Sequence, residues 1–418
     1  MRLDTAEIAK KDEASGEVQM KNNCLVVPLN DLYFERLSDL VMTKNFDSCV
    51  INTATHEGVE GVIEMFLTDL TEDGHEHEHG DECGAGCGEE GIVMNDMAPL
   101  DTIVCIVDAK TFMNDFTTVD SLVDRFKEAI PEEEDKNIAS LIVEQIETST
   151  TILINNADSA EDIKTVESLI RKINATAKIF NTKNSEVSTK DVLNTGLFSL
   201  EDKSSQTPAW LKEIRGEIPS NTVGEFSSFV YKRRIPFNTE KIFNFLYGSD
   251  YLNKDSGVVR SKGFCWLCTR NEDCGDWDHV SQIVEIAHAG RFYASLDAET
   301  REMLGEEVAK ESEANSEGEH GDRRIELLFI GKNMNQKEIE SKLDACLITK
   351  EELAKGSEVY STICKDEFPE WATSMDLNDF EDDEEEDDEE EGAAEVDITT
   401  TPKRKRDETQ SSSKKSKQ

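Results

Sequence analysis

Residues 74–91 gather the side chains best suited to chemistry. The core of the stretch reads Gly74-His75-Glu76-His77-Glu78-His79-Gly80-Asp81-Glu82-Cys83-Gly84-Ala85-Gly86-Cys87. Three of the chain's seven histidines and two of its ten cysteines fall between positions 75 and 87. Imidazoles alternating along a glycine-rich chain can wrap a cation, and Cys83 and Cys87 add thiolates. That mixture of borderline and soft donors suits zinc. The plainer alternative is a solvated acidic loop, but the clustering favours metal binding. A ligand loop this rich in glycine is not preorganised, so the expected site is labile.

Other thiols invite weaker readings. Cys265-Trp266-Leu267-Cys268 has the C-x-x-C spacing, yet it falls in a predicted strand. Residues three apart on a strand face opposite sides, so packing is expected there. Cys268 with Cys274 and His279 is a weaker grouping again. Cys49, at the start of a strand, and Cys105, in mid-strand, are expected in the core. Asp108 ends a predicted strand and is expected to cap the turn that follows.

These residues must be positioned by elements whose pattern is clear. Ser48–Thr53, Thr102–Val107, Thr151–Ile154 and Ala177–Phe180 are short apolar, largely β-branched runs. Between them lie helical periodicities such as 163–173, apolar at Val166, Leu169, Ile170 and Ile173. Strand and helix in alternation imply an α/β unit with a parallel sheet over residues 1–200, interrupted by the 74–91 loop. Residues 201–220 carry Pro208 and Pro219 and read as a linker. Over 221–350 the pattern predicts strands at 225–231, 258–267, 283–287 and 324–330, with helices at 239–246 and 336–346. That βαβββα order is an α+β domain. Residues 306–320 read as a disordered insertion, and 369–418 as an acidic then basic tail without a fold.

Composition narrows the function. Net charge is −45, from 45 Lys+Arg against 90 Asp+Glu. The acidic run 381–391 accounts for only a small part of it, so the folded portion is acidic too. Such a surface repels phosphates, and direct nucleic-acid binding is not expected. No apolar run is long enough to span a membrane, and the N-terminus does not read as a signal peptide. Scattered cysteines without a secretory signal indicate reduced thiols in the cytoplasm or nucleus. Lys403, Arg404, Lys405 and Arg406, with Lys414, Lys415 and Lys417, have the form of a bipartite signal for a nuclear import receptor. A basic tail pairing loosely with the acidic run is the alternative.

Ordered blocks in the second unit resemble a known family. Ser227-Ser228-Phe229-Val230-Tyr231 is followed by Arg234-Ile235-Pro236-Phe237 and by residues 257–267, Gly-Val-Val-Arg-Ser-Lys-Gly-Phe-Cys-Trp-Leu. Ala289-Gly290-Arg291-Phe292-Tyr293, Gly321-Asp322-Arg323-Arg324, residues 326–331 and Leu343-Asp344-Ala345-Cys346-Leu347 complete the series. Together they resemble the C-terminal domain of the CobW family of zinc-responsive GTPase metallochaperones. Upstream, Thr195-Gly196-Leu197-Phe198 and the stretch from Pro208 to Gly216 are similar to that family's interdomain junction.

The resemblance implies a phosphate-loop GTPase fold before this domain, with zinc as cargo and a client metalloprotein as partner. The family's loop, Gly-x-x-x-x-Gly-Lys-[Ser/Thr], cradles phosphates on backbone N–H groups. It occurs nowhere in the 418 residues, and the resemblance places Met1 just past it. The family's Cys-x-Cys-Cys motif is matched only by Cys24, and its Glu-Ser-Thr-Gly segment by Asn52-Thr53-Ala54-Thr55. Its guanine-reading Asn-Lys-x-Asp is matched by Asn155-Asn156-Ala157-Asp158. Asn155 and Asp158 are then remnants of a guanine site, and Asn156 lacks the long stem that lies against the base. Loss of so many parts implies that GTP and Mg²⁺ are not used unless the missing loop exists upstream. An active GTP-dependent chaperone with that loop, or a nuclear interaction scaffold, are the alternatives. Without the loop's strand, the strands at 48–53 and 102–107 are expected to pair directly, to leave exposed edges, or to recruit a strand from another copy.

Overall fold

The computed structural model describes residues 8–11, 18–20, 24–28, 46–53, 59–67, 93–127, 135–156, 160–184, 186–200, 202, 206–249 and 251–371. These belong to one compact unit, Met1–Trp371. Among the described residues no helix is long and apolar enough to cross a membrane.

The first half contains two small sheets. One orders β1 (Ile8–Lys11), β2 (Val18–Met20), β3 (Cys24–Pro28) and β4 (Ser48–Asn52), with β3 and β4 parallel and the other pairs antiparallel. The other is the parallel trio β5 (Val104–Asp108), β6 (Thr151–Asn155) and β7 (Lys178–Asn181). Among the described residues β4 and β5 do not pair. Of the three outcomes expected for the interrupted sheet, direct pairing is not seen among the described residues, where β5 pairs only with β6. Val104 and Ile106 on β5 are 38% and 43% exposed, unusual for strands of a parallel sheet, which are normally covered on both faces. Cys105 and Val107 point the other way, into a core shared with α5 (Ile138–Thr148) and α6 (Ala160–Ile173). Asn137 caps α5 by accepting from Ala139 N and Ser140 N.

The second half is a six-stranded antiparallel sheet in the order β12-β11-β10-β13-β9-β8. Its strands are β8 (Thr222–Val223), β9 (Phe226–Arg233), β10 (Val258–Cys265), β11 (Asp273–Val280), β12 (Ile283–Arg291) and β13 (Ile325–Lys332). Helices α8 (Thr239–Tyr247) and α11 (Gln336–Asp344) pack on one face over Trp266, Trp277, Tyr231, Phe237 and Phe329. Gly263 holds φ 150° in β10, where a Cβ would stand 2.0 Å from the Glu326 carbonyl oxygen of the neighbouring strand.

Three sequence expectations need correction here. The βαβββα pattern omits β11, whose sequence Asp-Cys-Gly-Asp-Trp-Asp-His-Val has poor strand propensity. Its acids are held by cross-strand cations: Asp276 lies 2.8 Å and Asp278 3.0 Å from Lys262 Nζ. The insertion at 306–320 is ordered. It forms α10 (Gly305–Asn315), tied to Arg215 through Glu311, and a short 3-10 turn at 318–320. Its many glutamates are good helix formers as well as polar residues. Cys49 is exposed rather than in the core.

The stretch read as a linker contains α7 (Ala209–Arg215), opened by Pro208 and closed by Gly216 at φ 78°. Its Ile214 packs on Leu328 and Ile330 of the large sheet. Helix α5 also reaches that sheet. Glu147 Oε1 accepts from Arg260 Nε at 3.1 Å and Nη2 at 2.9 Å. Arg260 is 2% exposed, and Asp278 Oδ1 accepts from its Nη1 at 2.5 Å. Lys172 on α6 donates to Ser228 Oγ and Asn221 Oδ1.

Candidate functional site

In open parallel sheets, ligands gather beyond the carboxyl ends of the strands. Here that edge is formed by Asp108, Asn155 and Thr182, the last lying just past β7. β5 and β6 run in register from Val104 with Thr151 to Asp108 with Asn155, so the two polar ends are level. Asp108 caps its turn as expected, Oδ1 accepting from Lys110 N at 2.9 Å. Its Oδ2 accepts from Asn156 Nδ2 at 2.8 Å. Asn156 sits at φ 56°, a left-handed conformation that asparagine tolerates better than most residues. Asn155 is buried, and its Oδ1 accepts from Thr182 Oγ1 at 3.3 Å.

Chemically this edge is closed on itself. The Asn156 amide is held by a carboxylate of the neighbouring strand, and the Asn155 oxygen faces a hydroxyl. Among the described residues, Asn156 is thus engaged with Asp108. A base needs an aliphatic stem to lie on and phosphates need a cradle of N–H groups, and Asn156 supplies no such stem. Asn52, which stands where the family resemblance places a carboxylate segment, ends β4 and is exposed.

Among the described residues the thiols of the second half form no metal centre. Cys265 and Cys268 are both buried, as packing residues should be. However, β10 ends at Cys265, so Cys268 lies beyond the strand in a turn. The argument from opposite strand faces does not apply, and burial alone makes the case. Burial pushes the Cys268 and Cys346 thiols up to about 11 and Cys105 and Cys274 to about 12, which disfavours the thiolates that zinc requires. His279 has both ring nitrogens engaged, Nδ1 with Ser261 Oγ at 3.2 Å and Nε2 with the Ser281 carbonyl at 2.9 Å. It is therefore a core histidine, not a ligand partner of Cys268 and Cys274. Among the described residues no group of three or more His, Cys, Asp or Glu is arranged to hold a metal ion.

Of the residues singled out by sequence, Cys24 heads β3 opposite Ser48, at the amino end of that strand. His75, His77, His79, Cys83, Cys87, Asp158 and the basic cluster 403–406 lie outside the described residues. Sequence reasoning missed Thr182, the Asp108–Asn156 bond and the Arg260–Glu147 pair. Nothing in a linear pattern marks partners 48 or 113 residues apart.

Residues 226–347 match the family described as the cobalamin synthesis protein cobW C-terminal domain. Residues 89–181 match the CobW/HypB/UreG nucleotide-binding domain. The chain is 33% identical over 361 residues to zinc-regulated GTPase metalloprotein activator 1 of Dictyostelium discoideum, covering 85% of this chain and 70% of that one. The chain belongs to the CobW family. Two solved structures are also similar: a zinc-bound triple mutant of the YjiA GTPase (TM-score 0.32, 16% identity, 82% of this chain and 86% of that one) and the zinc-bound YjiA GTPase from E. coli (TM-score 0.30, 16% identity, 79% and 82%). Superpositions this loose support no residue-by-residue reading. In this CobW-family chain the nucleotide-binding match falls on the parallel trio, β5 to β7, and the C-terminal match spans β9 to β13 with α8 and α11.

Proposed function

We propose that this CobW-family chain is a zinc-handling metallochaperone-like protein that sequesters zinc or delivers it to a client metalloprotein, without hydrolysing GTP. The observation behind the second half is the closed carboxyl edge, where Asn156 is bonded to Asp108 instead of reaching outward. The internal stretch Asn52-Thr53-Ala54-Thr55, which lacks the carboxylate of the segment it resembles, supports it. Zinc enters as cargo. The Dictyostelium relative is a zinc-regulated metalloprotein activator, which supports the choice of metal, and the donors best suited to it here are His75, His77, His79, Cys83 and Cys87. The basic cluster from Lys403 to Arg406 is offered to a nuclear import receptor, giving a cytoplasmic or nuclear protein.

Two measurements test this reading. Titration calorimetry with GTP and Mg²⁺ should give no binding, or binding weaker than millimolar, because Asn156 is short and held by Asp108. Micromolar binding by this chain would overturn the expected loss of nucleotide binding and favour a working GTPase. Replacing all five loop ligands with Ala should remove most bound zinc in equilibrium dialysis while leaving the melting temperature unchanged. If zinc stoichiometry survives that variant, the loop is a spacer and not the cargo site.

A further inference from the structure

Beyond the matched C-terminal domain the chain turns back across it. Helix α13 (Ser357–Ile363) ends at Cys364, and the residues after it are pinned one by one. Asp366 Oδ2 accepts from Arg270 Nε at 2.8 Å and from Thr269 Oγ1 at 2.7 Å. Arg270 Nη2 donates to the Phe368 and Pro369 carbonyls at 3.0 and 2.9 Å. Phe368 is buried edge-on against Phe243, and the Trp371 indole N–H donates to the Ile286 carbonyl at 3.0 Å. Residues 364–371 are thus a strap laid over the domain.

At the head of the strap two thiols touch. Cys364 Sγ lies 3.5 Å from Cys268 Sγ, a contact between residues 96 apart in sequence. Cys268 is 1% exposed and lies in the turn after β10, while Cys364 is half-buried. Cys364 also lines a cleft of about 630 Å³ with Lys241, Asn244, Cys346 and Glu352. A small thiol reagent entering the cleft therefore reaches Cys364 as well as Cys346, and of the two it is Cys364 whose sulfur touches the buried Cys268. Among the described residues the sulfur of Cys268 makes hydrogen-bond-range contacts with the Thr239 hydroxyl and with Cys364, and the Tyr360 phenol lies nearby.

We propose that Cys364 and Cys268 form a thiol–disulfide exchange site that is oxidised by a low-molecular-weight disulfide of the glutathione class and so bolts the strap to the domain. In the first step the Cys364 thiolate attacks one sulfur of oxidised glutathione. A Cys364–glutathione disulfide forms, the glutathione S–S bond breaks, and one glutathione thiolate leaves. In the second step the Cys268 thiolate attacks Cys364 Sγ and expels the second glutathione. Two protein thiols lose two electrons to the glutathione disulfide, and their two protons end on the two glutathione thiols. Burial holds the Cys268 thiol up at about 11, so the second step accelerates as pH rises through the neutral range. The contact between the two sulfurs makes that step intramolecular and offsets the scarcity of thiolate.

The test uses the full chain, reduced, then incubated with oxidised glutathione, blocked with iodoacetamide and digested without reductant for mass spectrometry. The expected product joins the peptides carrying Cys268 and Cys364. Cys268→Ser should halt at the mixed disulfide and raise the Cys364–glutathione adduct roughly tenfold or more over the parent. Cys364→Ser should leave Cys268 alkylated by iodoacetamide only after unfolding. The oxidised parent should also keep 364–371 attached to the domain under proteolysis that removes it from the reduced chain. The proposal is overturned if the parent retains a persistent Cys364–glutathione adduct with Cys268 unlinked, or if Cys268 bonds to another cysteine. That parent measurement decides the matter even if a variant fails to fold.

Discussion

Glu147→Ala probes the joint between the two halves. In the parent, Glu147 Oε1 takes hydrogen bonds from two nitrogens of Arg260, at 3.1 and 2.9 Å. Arg260 is 2% exposed and Glu147's side chain 12%. Water can therefore replace little of what the substitution removes. Loss of one partner of a buried ion pair costs roughly 3–5 kcal/mol. Here Asp278 remains on the other side of the guanidinium at 2.5 Å, so the cost should fall below that range, at about 2–3 kcal/mol. For a chain of this size that corresponds to a fall in Tm of roughly 3–5 °C. Because α5 and the large sheet would lose their charged link, the urea transition should also broaden toward two steps. Urea melts followed by near-ultraviolet circular dichroism, for parent and variant at one pH, measure both effects. A loss under about 0.5 kcal/mol with an unchanged slope would refute the reasoning, since it would mean that the buried guanidinium is satisfied by Asp278 alone. Exchanging both residues, Glu147→Met with Arg260→Met, should cost less than the sum of the single changes, because no unpaired charge is left buried.

Two other outcomes follow from the same geometry. Burial first, with Arg260 nearby adding to it, lowers the His279 pKa from 6.5 to about 4 despite its bond to the Ser281 carbonyl. The unfolded chain then binds the proton first as pH falls from about 6.5 toward 4, so stability is full above that window and declines through it, by about 3 kcal/mol in all. His279→Gln should flatten that decline relative to the parent in urea melts at pH 7 and pH 5, and parallel pH profiles for the two proteins would count against it. Ile106→Lys, placed on the 43% exposed face of β5, should raise solubility with a Tm within about 2 °C of the parent. A variant that fails to fold would show that this face is covered.

Much of the architecture was legible in the sequence because burial imposes periodicity. β6 is buried at every position from Thr151 to Asn155, and its run of apolar residues announced that. The spacing of Val166, Leu169, Ile170 and Ile173 along α6 did the same for a helix. β11 was not legible, because its three aspartates satisfy local rules for loops. Only the cations of β10, brought alongside by the hairpin, make them strand residues. The helix at 305–315 was hidden for a related reason. Its glutamates suit solvent and helix equally, and its link to Arg215 joins residues 96 apart.

The candidate site divides in the same way. The type and spacing of residues carried the proposal of zinc donors at 75–87, and they showed the short asparagine where the family resemblance places a long cation. Neither of these depends on where the chain goes next. The closing of Asn156 onto Asp108, the burial of Arg260 between Glu147 and Asp278, and the meeting of Cys268 with Cys364 were decided by tertiary structure alone. Each needs two segments dozens of residues apart to be brought within hydrogen-bond or contact distance, and local sequence has no term for that. Strand register and helix packing set those distances, and they are properties of the whole core rather than of any window along the chain.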